Sequence, residues 1–263
     1  MIGFAKGHAY GNDFLYVLKR EISGVALDRF AREICDRHTG VGADGLIVYE
    51  QTPAGASMQL FNADGSRAEV SGNGVRALGA LLLRGDHRPH AELVIETEAG
   101  TKALTRTSRN GTRQIFRASM GLPSALRRTS IVSGNESIEL VTLNMGNPQA
   151  IILGPLPDDM RFQRLGSMLE RHPSFPEGTN VEFALVEAPD RVRIRIWERG
   201  VGPTTSSGTG CCASLVAAAA YGGAGRDAEV IAPGGSQRVE WREDGVYLTG
   251  WAEILCEGTW LRE

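Results

Sequence analysis

The sequence predicts a strand-rich α+β protein built from two similar domains. Short runs with β character outnumber helical runs, and the 33 glycines of the 263-residue chain fall in clusters that indicate many shaped turns. A set of landmarks also recurs 136 residues further along the chain, the separation of Ser71 from Ser207. With 42% hydrophobic and 22% charged residues, the composition is that of a globular protein.

The elements follow from hydrophobic periodicity. Four runs have helical character: 27–37, 73–85, 162–172 and 210–223. Runs rich in β-branched and aromatic residues predict strands at 14–18, 45–50, 58–62, 92–97, 113–120, 139–144, 149–153, 181–187, 192–198, 229–233, 237–241, 246–250 and 252–258. Strands therefore dominate the prediction.

The order of these elements indicates an internal duplication. At the same offset Phe61 falls on Trp197, Gly72 on Gly208 and Gly74 on Gly210. At an offset of 135 the Gly-Asn pair at 11–12 matches the pair at 146–147. We therefore predict a domain over 1–120 and a second over 121–263. This division leaves open that the last strand packs back on the first domain.

Charge and targeting signals restrict the class of protein. The net charge is −3 and the pI is about 6.0, so no basic surface for nucleic acid is expected. No apolar run approaches the roughly 18 residues of a membrane span, and the N-terminal residues lack the apolar core of a signal peptide. We expect a cytoplasmic enzyme or binding protein, with no membrane and no nucleic-acid partner.

The four cysteines and the remaining glycine-rich stretch indicate no metal or nucleotide. The cysteines are at 35, 211, 212 and 256 and form no CxxC pair, so neither a zinc site nor a disulfide framework is expected. GVGADG at 40–45 lacks both the strand–GxGxxG–helix context and a Walker lysine. We expect no cofactor.

Two glycine-rich turns are the main candidates for a site. VSGNGVR (70–76) and SSGTGCC (206–212) each place a serine before Gly-x-Gly at the start of an apolar, helical run. A helix N-terminus presents unpaired N–H groups and partial positive charge, which suit a carboxylate or phosphate. Because the domains are predicted to be duplicates, we expect the two turns to face each other across an interdomain cleft.

Polar residues at strand ends add to this pattern. GND, FNADG, NMGNP, GTN and WERG each place Asn, Asp, Glu or Arg beside a turn. Most of these also suit ordinary turn chemistry. The pair Glu198 and Arg199 is more informative, since a guanidinium suits an α-carboxylate and a carboxylate suits an α-ammonium group.

These residues closely resemble the diaminopimelate epimerase family of pyridoxal-independent racemases. The resemblance runs over nearly the whole chain, through HAYGNDFLYV, CDRHTGVGADGLIV, LFNADGSRAEVSGNGVR, NMGNPQAI, FPEGTNVEF and WERGVGPTTSSGTGCCA. It implies two pseudo-symmetric domains, each a strongly curved, mostly antiparallel sheet or barrel around a central helix. It also implies inversion at Cα of LL- or meso-diaminopimelate in lysine and cell-wall precursor synthesis, and a homodimer.

The resemblance also assigns roles to residues. The family's thiol pair, one group on each face of Cα, corresponds to Ser71 and Ser207, and the histidine that usually follows its GNP motif corresponds to Gln149. Together with Glu198, these are the predicted catalytic residues. The implied substrate-binding residues are Asn12, Asn62, Gly72, Asn73, Asn147, Asn180, Glu198, Arg199, Gly208 and Thr209.

The two serines leave the chemistry open. A thiol has a pKa of about 8.5 and an unactivated hydroxyl is a far weaker acid, so an unassisted Ser/Ser pair exchanges protons far more slowly. The chain is then an epimerase with activated hydroxyls, a relative that runs a one-base isomerisation or elimination, or a protein that binds an amino acid without turnover. Engineered serines, or Cys211 as a substitute thiol, are further alternatives.

Overall fold

The computed structural model describes residues 1–133 and 136–261. Its contacts divide the chain into two compact units, which are described separately below. The first unit comprises Met1–Ala118 with Gly250–Glu263, and the second comprises Ser119–Thr249.

The first unit combines eight strands with two α-helices and one two-residue strand. The strands are β1 (Ile2–Ala9), β2 (Asn12–Leu18), β3 (Gly45–Thr52), β4 (Gly55–Asn62), β5 (Arg67–Ala68), β6 (Ala91–Thr97), β7 (Gly100–Asn110), β8 (Arg113–Gly121) and the second part of β17 (Gly245–Trp260). The helices are α1 (Leu27–Cys35) and α2 (Gly72–Leu82), and residues 19–21 form a 3-10 turn.

The strands of the first unit close into a barrel. Around the sheet the order is β17, β1, β2, β3, β4, β6, β7 and β8, and β8 pairs with β17 again. The pairs β2–β3 and β4–β6 are parallel. The pairs β17–β1, β1–β2, β3–β4, β6–β7 and β7–β8 are antiparallel. This eight-stranded barrel confirms the predicted fold class.

The second unit repeats the order of parallel and antiparallel strand pairs of the first unit. Its strands are β9 (Ser124–Ser133), β10 (Glu136–Asn144), β11 (Pro148–Leu153), β12 (Asn180–Ala188), β13 (Arg191–Glu198), β14 (Gly202–Thr204), β15 (Asp227–Ala232), β16 (Gly235–Arg242) and the first part of β17. Its helices are α3 (Asp159–Glu170) and α4 (Gly208–Ala217), which a π-helical turn at 218–222 extends. The pairs β11–β12 and β13–β15 are parallel, as are β2–β3 and β4–β6 in the first unit.

Each sheet surrounds one helix. In α2 every residue from Gly72 to Ala80 is buried, and the helix contacts β1, β2, β6 and β7. All ten residues of α4 are buried, and this helix contacts β10, β11, β12, β13, β15 and β16. Such burial suits helices made mostly of small and apolar residues, and in α2 it also encloses the polar side chains of Asn73 and Arg76.

The other two helices cover the outside of the sheets. Phe30 and Ile34 of α1 pack in an apolar cluster with Leu46 and Trp260. Phe162 of α3 packs in a second cluster, in which its ring lies edge-on to Phe183 and Trp197. Each sheet is thus buried on both faces where a helix covers it, which explains the continuous apolar runs in β3 and β12.

The structure differs from the sequence prediction in several elements. Strands β1, β5, β7, β9 and β14 were not predicted, and the predicted strands 246–250 and 252–258 are one continuous strand, β17. Glycines interrupt β1 and β17, and β7 and β9 carry many polar residues, so the apolar alternation on which the prediction depends is weak there. No described helix is long and apolar enough to span a membrane.

Candidate active site: two serine-capped helices

Ser71 and Ser207 occupy the same position in their units, the N-cap of the central helix. The Oγ of Ser71 accepts a hydrogen bond from the N–H of Gly74 at 3.1 Å, and the Oγ of Ser207 accepts one from Gly210 at 3.1 Å. Both serines have extended backbone and are partly exposed. Negative charge that develops on either oxygen would therefore be stabilised by a helix N–H group and by the helix dipole.

In the first unit Asn12 and Asn73 lie next to each other beside Ser71. Asn73 follows Ser71 by two residues, and its Nδ2 donates to Oδ1 of Asn12 at 3.1 Å. Arg76, one turn further along α2, donates to Oδ1 of Asn73 at 2.5 Å. Gly72 is the first residue of the same helix. The predicted residues Asn12, Gly72 and Asn73 are thus brought together with Ser71.

The side chain of Asn62 has a hydrogen-bond partner within its own turn. Asn62 ends β4, where it pairs with Gly45, and its Nδ2 donates to Oγ of Ser66 at 2.9 Å. Its backbone N–H also bonds the carbonyl of Ser66. The side chain therefore closes its own turn, and its role in substrate binding stays a prediction.

A charged cluster holds Asn12 in place. The Nδ2 of Asn12 donates to Asp44 at 2.8 Å, and Arg37 bridges Asp44 and the buried Asp13, with 2.8 Å to each. Lys6 lies 3.0 Å from Asp13. Burial alone would raise the pKa of Asp13, but hydrogen bonds from Arg37 and Lys6 outweigh it and hold the pKa below its usual value.

In the second unit the predicted residues form a chain of side-chain contacts. Nε2 of Gln149 lies 2.6 Å from Oδ1 of Asn147, and Nδ2 of Asn147 lies 3.5 Å from Oγ1 of Thr209. Oγ1 of Thr209 is 3.4 Å from Oγ of Ser207. Gly208 is the first residue of α4. Gln149 is thus connected to Ser207 through two other predicted residues.

Asn180 and Arg199 are joined through the backbone. Oδ1 of Asn180 accepts from the N–H of Arg199 at 3.0 Å, and Nδ2 of Asn180 donates to the carbonyl of Pro148 at 3.0 Å. The guanidinium of Arg199 donates to the carbonyl of Glu177 at 3.0 Å. Glu198 ends β13 and is partly buried. The roles of these residues in binding stay predictions.

Glu182 is the main residue that the sequence analysis missed. It lies on β12, is 0% exposed, and its two carboxyl oxygens lie 3.0 and 3.1 Å from the side-chain amide of Gln149. Burial, with a smaller contribution from nearby Glu198, raises the pKa of Glu182 well above its usual value. One signal was available: Glu182 is the single charged residue in the apolar stretch NVEFALV.

Arg76, Asp44 and Asp13 were also missed as supports of the site. Each lies within a motif quoted above, but isolated charged residues near turns are usually solvated. Only the burial of Arg76 and Asp13 distinguishes them from surface charges.

Cys211, the alternative thiol, is buried against the sheet. It is 0% exposed, and its Sγ lies 3.4 Å from Nε2 of Gln237 on β16. The thiol therefore faces the sheet. In the part of the chain that the structure describes, no group of three or more His, Cys, Asp or Glu side chains is arranged to hold a metal ion.

Comparison with known proteins places the chain in a family. A family profile described as diaminopimelate epimerase matches residues 4–125 and 141–255. A diaminopimelate epimerase of Desulforudis audaxviator is 38% identical over 98% of this chain and 99% of its own, and one of Synechococcus elongatus is 37% identical over 97% of each.

Solved structures share the fold at low sequence identity. A protein described as a probable proline racemase of Agrobacterium radiobacter, solved with bound carbonate, has a TM-score of 0.78 at 18% identity and covers 100% of this chain and 94% of its own. A hydroxyproline epimerase of Agrobacterium vitis, with bound trans-4-hydroxy-L-proline, has a TM-score of 0.75 at 17% identity over 98% and 91%. A methylitaconate-delta-isomerase has a TM-score of 0.64 at 13% identity over 98% and 94%.

Proposed function

The chain belongs to the diaminopimelate epimerase family, and from that premise we propose that it inverts the configuration at Cα of LL-diaminopimelate, giving the meso isomer. The observation that carries the proposal is the pair of serine oxygens at the N-caps of α2 and α4, each accepting a helix N–H. Its place would be lysine and cell-wall precursor synthesis.

Inversion at a carbon requires two groups. One must take the Cα proton, leaving its electron pair on the substrate, and the other must deliver a proton to the opposite face. The proposal gives these roles to Ser71 and Ser207, in either order according to the isomer bound. An amide N–H directed at Oγ lowers the cost of the developing alkoxide, but a helix N-terminus contributes only about 1–2 kcal/mol.

Binding of the amino-acid end is assigned to the second unit. Arg199 offers a guanidinium for the α-carboxylate, and Glu198 offers a carboxylate for the α-ammonium group. The side chain of Asn180 accepts a hydrogen bond from the backbone N–H of Arg199, and the carbonyl of Glu177 accepts one from its guanidinium. Arg199 is therefore already ordered, and binding loses less side-chain entropy.

A second candidate is a relative that binds an amino acid without turnover or runs a one-base isomerisation. The observation that favours it is the cap itself. Serine is among the preferred N-cap residues, so the hydrogen bonds to Gly74 and Gly210 are also what a purely structural serine makes. The methylitaconate-delta-isomerase has a related fold, which is therefore compatible with another reaction.

The binding assignment is tested with Arg199→Ala. We expect LL-diaminopimelate to raise the unfolding temperature of the unsubstituted protein and of Arg191→Ala, an exposed arginine at the other end of β13. Arg199→Ala should lose this increase, because the carboxylate loses its charged partner. Each increase is measured against the same variant without ligand.

Chiral analysis of the same samples separates the two candidates. Appearance of the meso isomer with the unsubstituted protein supports the epimerase. Thermal stabilisation without the meso isomer would favour the second candidate, and an unchanged increase in Arg199→Ala would contradict the assigned binding residues.

A further inference from the structure

The buried pair Glu182 and Gln149 lies directly below the N-terminus of α4. A Cβ added to Gly210 would meet Oε1 of Glu182 at 2.6 Å and Oγ of Ser207 at 3.2 Å. The carboxyl group and the serine oxygen therefore both lie close to the Cβ position of the same helical glycine. Gln149 connects the pair to Asn147.

The first unit shows that the fold does not require this polar pair. There, β2 pairs in parallel with β3 so that Phe14 is opposite Gly45, as Gln149 is opposite Asn180 in the second unit. Two residues further along β3 is Ile47, the counterpart of Glu182. A Cβ added to Gly74 would meet Cδ1 of Ile47 at 2.7 Å and Phe14 at 3.6 Å.

In the first unit, Phe14 and Ile47 thus occupy the space that Gln149 and Glu182 occupy in the second. Apolar residues in such a position are usually at least as stabilising as a buried polar pair, because a buried polar group costs free energy unless it is fully hydrogen-bonded. A function in the second unit would account for the difference.

The side chains from Glu182 to Ser207 can be hydrogen-bonded in two directions. If Glu182 carries a proton, it donates to the oxygen of Gln149, whose nitrogen donates to Asn147; Asn147 then donates to Thr209. The hydroxyl of Thr209 is then left to donate to Oγ of Ser207. The distances along this path are 3.0, 2.6, 3.5 and 3.4 Å.

If Glu182 is ionised, every bond reverses. Gln149 then donates to the carboxylate, Asn147 donates to Gln149, and Thr209 donates to Asn147. Ser207 must donate its own proton to Thr209. The reversed arrangement gains a 3.3 Å contact from Nδ2 of Asn180 to the Gln149 oxygen.

Burial decides between the two arrangements. Glu182 is 0% exposed, and the negative charge of Glu198 also acts against its ionisation. Both effects favour the protonated acid, as the raised pKa expresses, while the dipole of α4 acts weakly in the opposite sense. The ionised form gains a charge-assisted hydrogen bond from Gln149, and a bond from Asn180 in place of a 3.3 Å contact between two amide nitrogens, but together these stabilise it by less than full burial costs it.

We propose that Glu182 is a positioning residue that donates its proton to Gln149 and so makes Thr209 a hydrogen-bond donor to Oγ of Ser207. The oxygen of Ser207 then accepts from both Thr209 and Gly210 and keeps its own proton available. This inference rests on the proposed function, in which Ser207 exchanges a proton with Cα. In the first unit Asn12 and Asn73 correspond to Asn147 and Thr209, but Phe14 and Ile47 stand in place of Gln149 and Glu182, so the two serines differ.

The protonation state of Glu182 can be measured without substrate. The infrared difference between the unsubstituted protein and Glu182→Gln at neutral pH should contain the C=O stretch of a protonated carboxylic acid. Glu187→Gln is the control, because Glu187 is exposed on the same strand and hydrogen bonds from Arg193 lower its pKa. A difference spectrum with carboxylate bands only would overturn the proposal.

The direction of the bonds at Ser207 is tested in the Ser207→Cys background, by alkylation with iodoacetamide as a function of pH. Adding Thr209→Val should slow alkylation at neutral pH about 2- to 10-fold, because the thiolate loses one donor. Adding Glu182→Gln should change the rate less than about twofold, since an amide still donates to Gln149. Peptide mass spectrometry locates the alkylated cysteine.

Opposite results would overturn the proposal. If Glu182 were ionised, Glu182→Gln would remove a negative charge near the thiol and speed alkylation, and Thr209→Val would not slow it. None of these readouts needs turnover. A protein that passes them but does not convert diaminopimelate would contradict the proposed function and leave the role of Glu182 intact.

Discussion

At the scale of single residues, the weak acidity of the hydroxyl groups limits the catalytic roles proposed for Ser71 and Ser207. A serine hydroxyl is a weaker acid than a thiol by about 7 pKa units, or on the order of 10 kcal/mol. The cap hydrogen bonds and helix dipole recover about 1–2 kcal/mol of this. Most of the difference in acidity therefore remains, so proton transfer at each oxygen depends on further hydrogen bonds from its neighbours. For Ser207 the proposed hydrogen-bonded path to Glu182 supplies one of them.

We expect Ser71→Cys combined with Ser207→Cys to accelerate conversion of LL-diaminopimelate by about 10²- to 10⁴-fold, the range of a well-placed acid–base group. Thiols at both N-caps would accept hydrogen bonds from the same helix N–H groups, and a thiol has a much lower pKa than a hydroxyl. The rate is measured by chiral analysis, with each single substitution as a control. No gain in the double variant would contradict the assignment of the two oxygens as the proton-transferring groups.

The buried acid also predicts a pH dependence of stability. The pKa of Glu182 is raised in the folded state, so unfolding releases its proton at any pH between the unfolded value, about 4.3, and the folded value. The unsubstituted protein should therefore lose stability relative to Glu182→Gln as pH rises through this window, by up to about 1.4 kcal/mol per pH unit.

Below the unfolded pKa both states are protonated, and this contribution becomes constant with pH. Urea unfolding of the two proteins from about pH 4 to about pH 8 measures the difference. A difference that did not change with pH would indicate that the pKa of Glu182 is not raised.

At the scale of elements, the serines stabilise α2 and α4 whether or not they act in catalysis. Ser71→Ala or Ser207→Ala should cost about 0.5–2 kcal/mol, and the corresponding glycine variants only a few tenths, because alanine is a poor N-cap. Urea midpoints measure this. If the serines act in catalysis, the alanine and glycine variants should lose turnover equally. If the glycine variants kept turnover while the less stable alanine variants lost it, the serines would have a structural role alone.

Much of the secondary structure could be predicted from the sequence because its signals are local. The apolar runs that follow the two serines predicted both central helices, and the observed α2 and α4 begin at Gly72 and Gly208, each directly after its capping serine. The strand β9 could not be predicted, because ALRRTSIV alternates poorly and its position depends on pairing with β10. Pairing between distant segments leaves little trace in a single sequence.

The candidate site was predictable only in part for the same reason. Asn12, Asn73 and Asn147 stand beside glycine-rich motifs, and the structure joins them to their neighbours. Glu182 stands within an apolar strand, where a single acid is usually read as facing solvent. Its importance depends on burial below α4, which only the packed structure reveals.

At the scale of the whole molecule, the chain uses one strand topology twice, with different residues packed below the two central helices. The order of antiparallel and parallel pairs from β1 to β7 recurs from β10 to β16. Both units place a serine-capped helix inside the sheet. The space below that helix is apolar in the first unit and holds Glu182 and Gln149 in the second.

The duplication also gives a reason for two serines. Inversion needs a group for each face of Cα, and a repeated unit supplies the same group twice at the same cap position. Family membership places the chain among proteins named for this reaction. The account therefore depends on whether both oxygens exchange protons with one substrate carbon.

The most direct measurement is exchange at Cα in D2O, with LL-diaminopimelate and the purified protein, followed by NMR and chiral analysis. The account predicts deuterium at the inverted Cα of the meso product, while LL-diaminopimelate recovered early in the reaction remains protiated. Deuterium in the recovered LL isomer as much as in the product would indicate one base. Binding without any Cα deuterium would contradict the account.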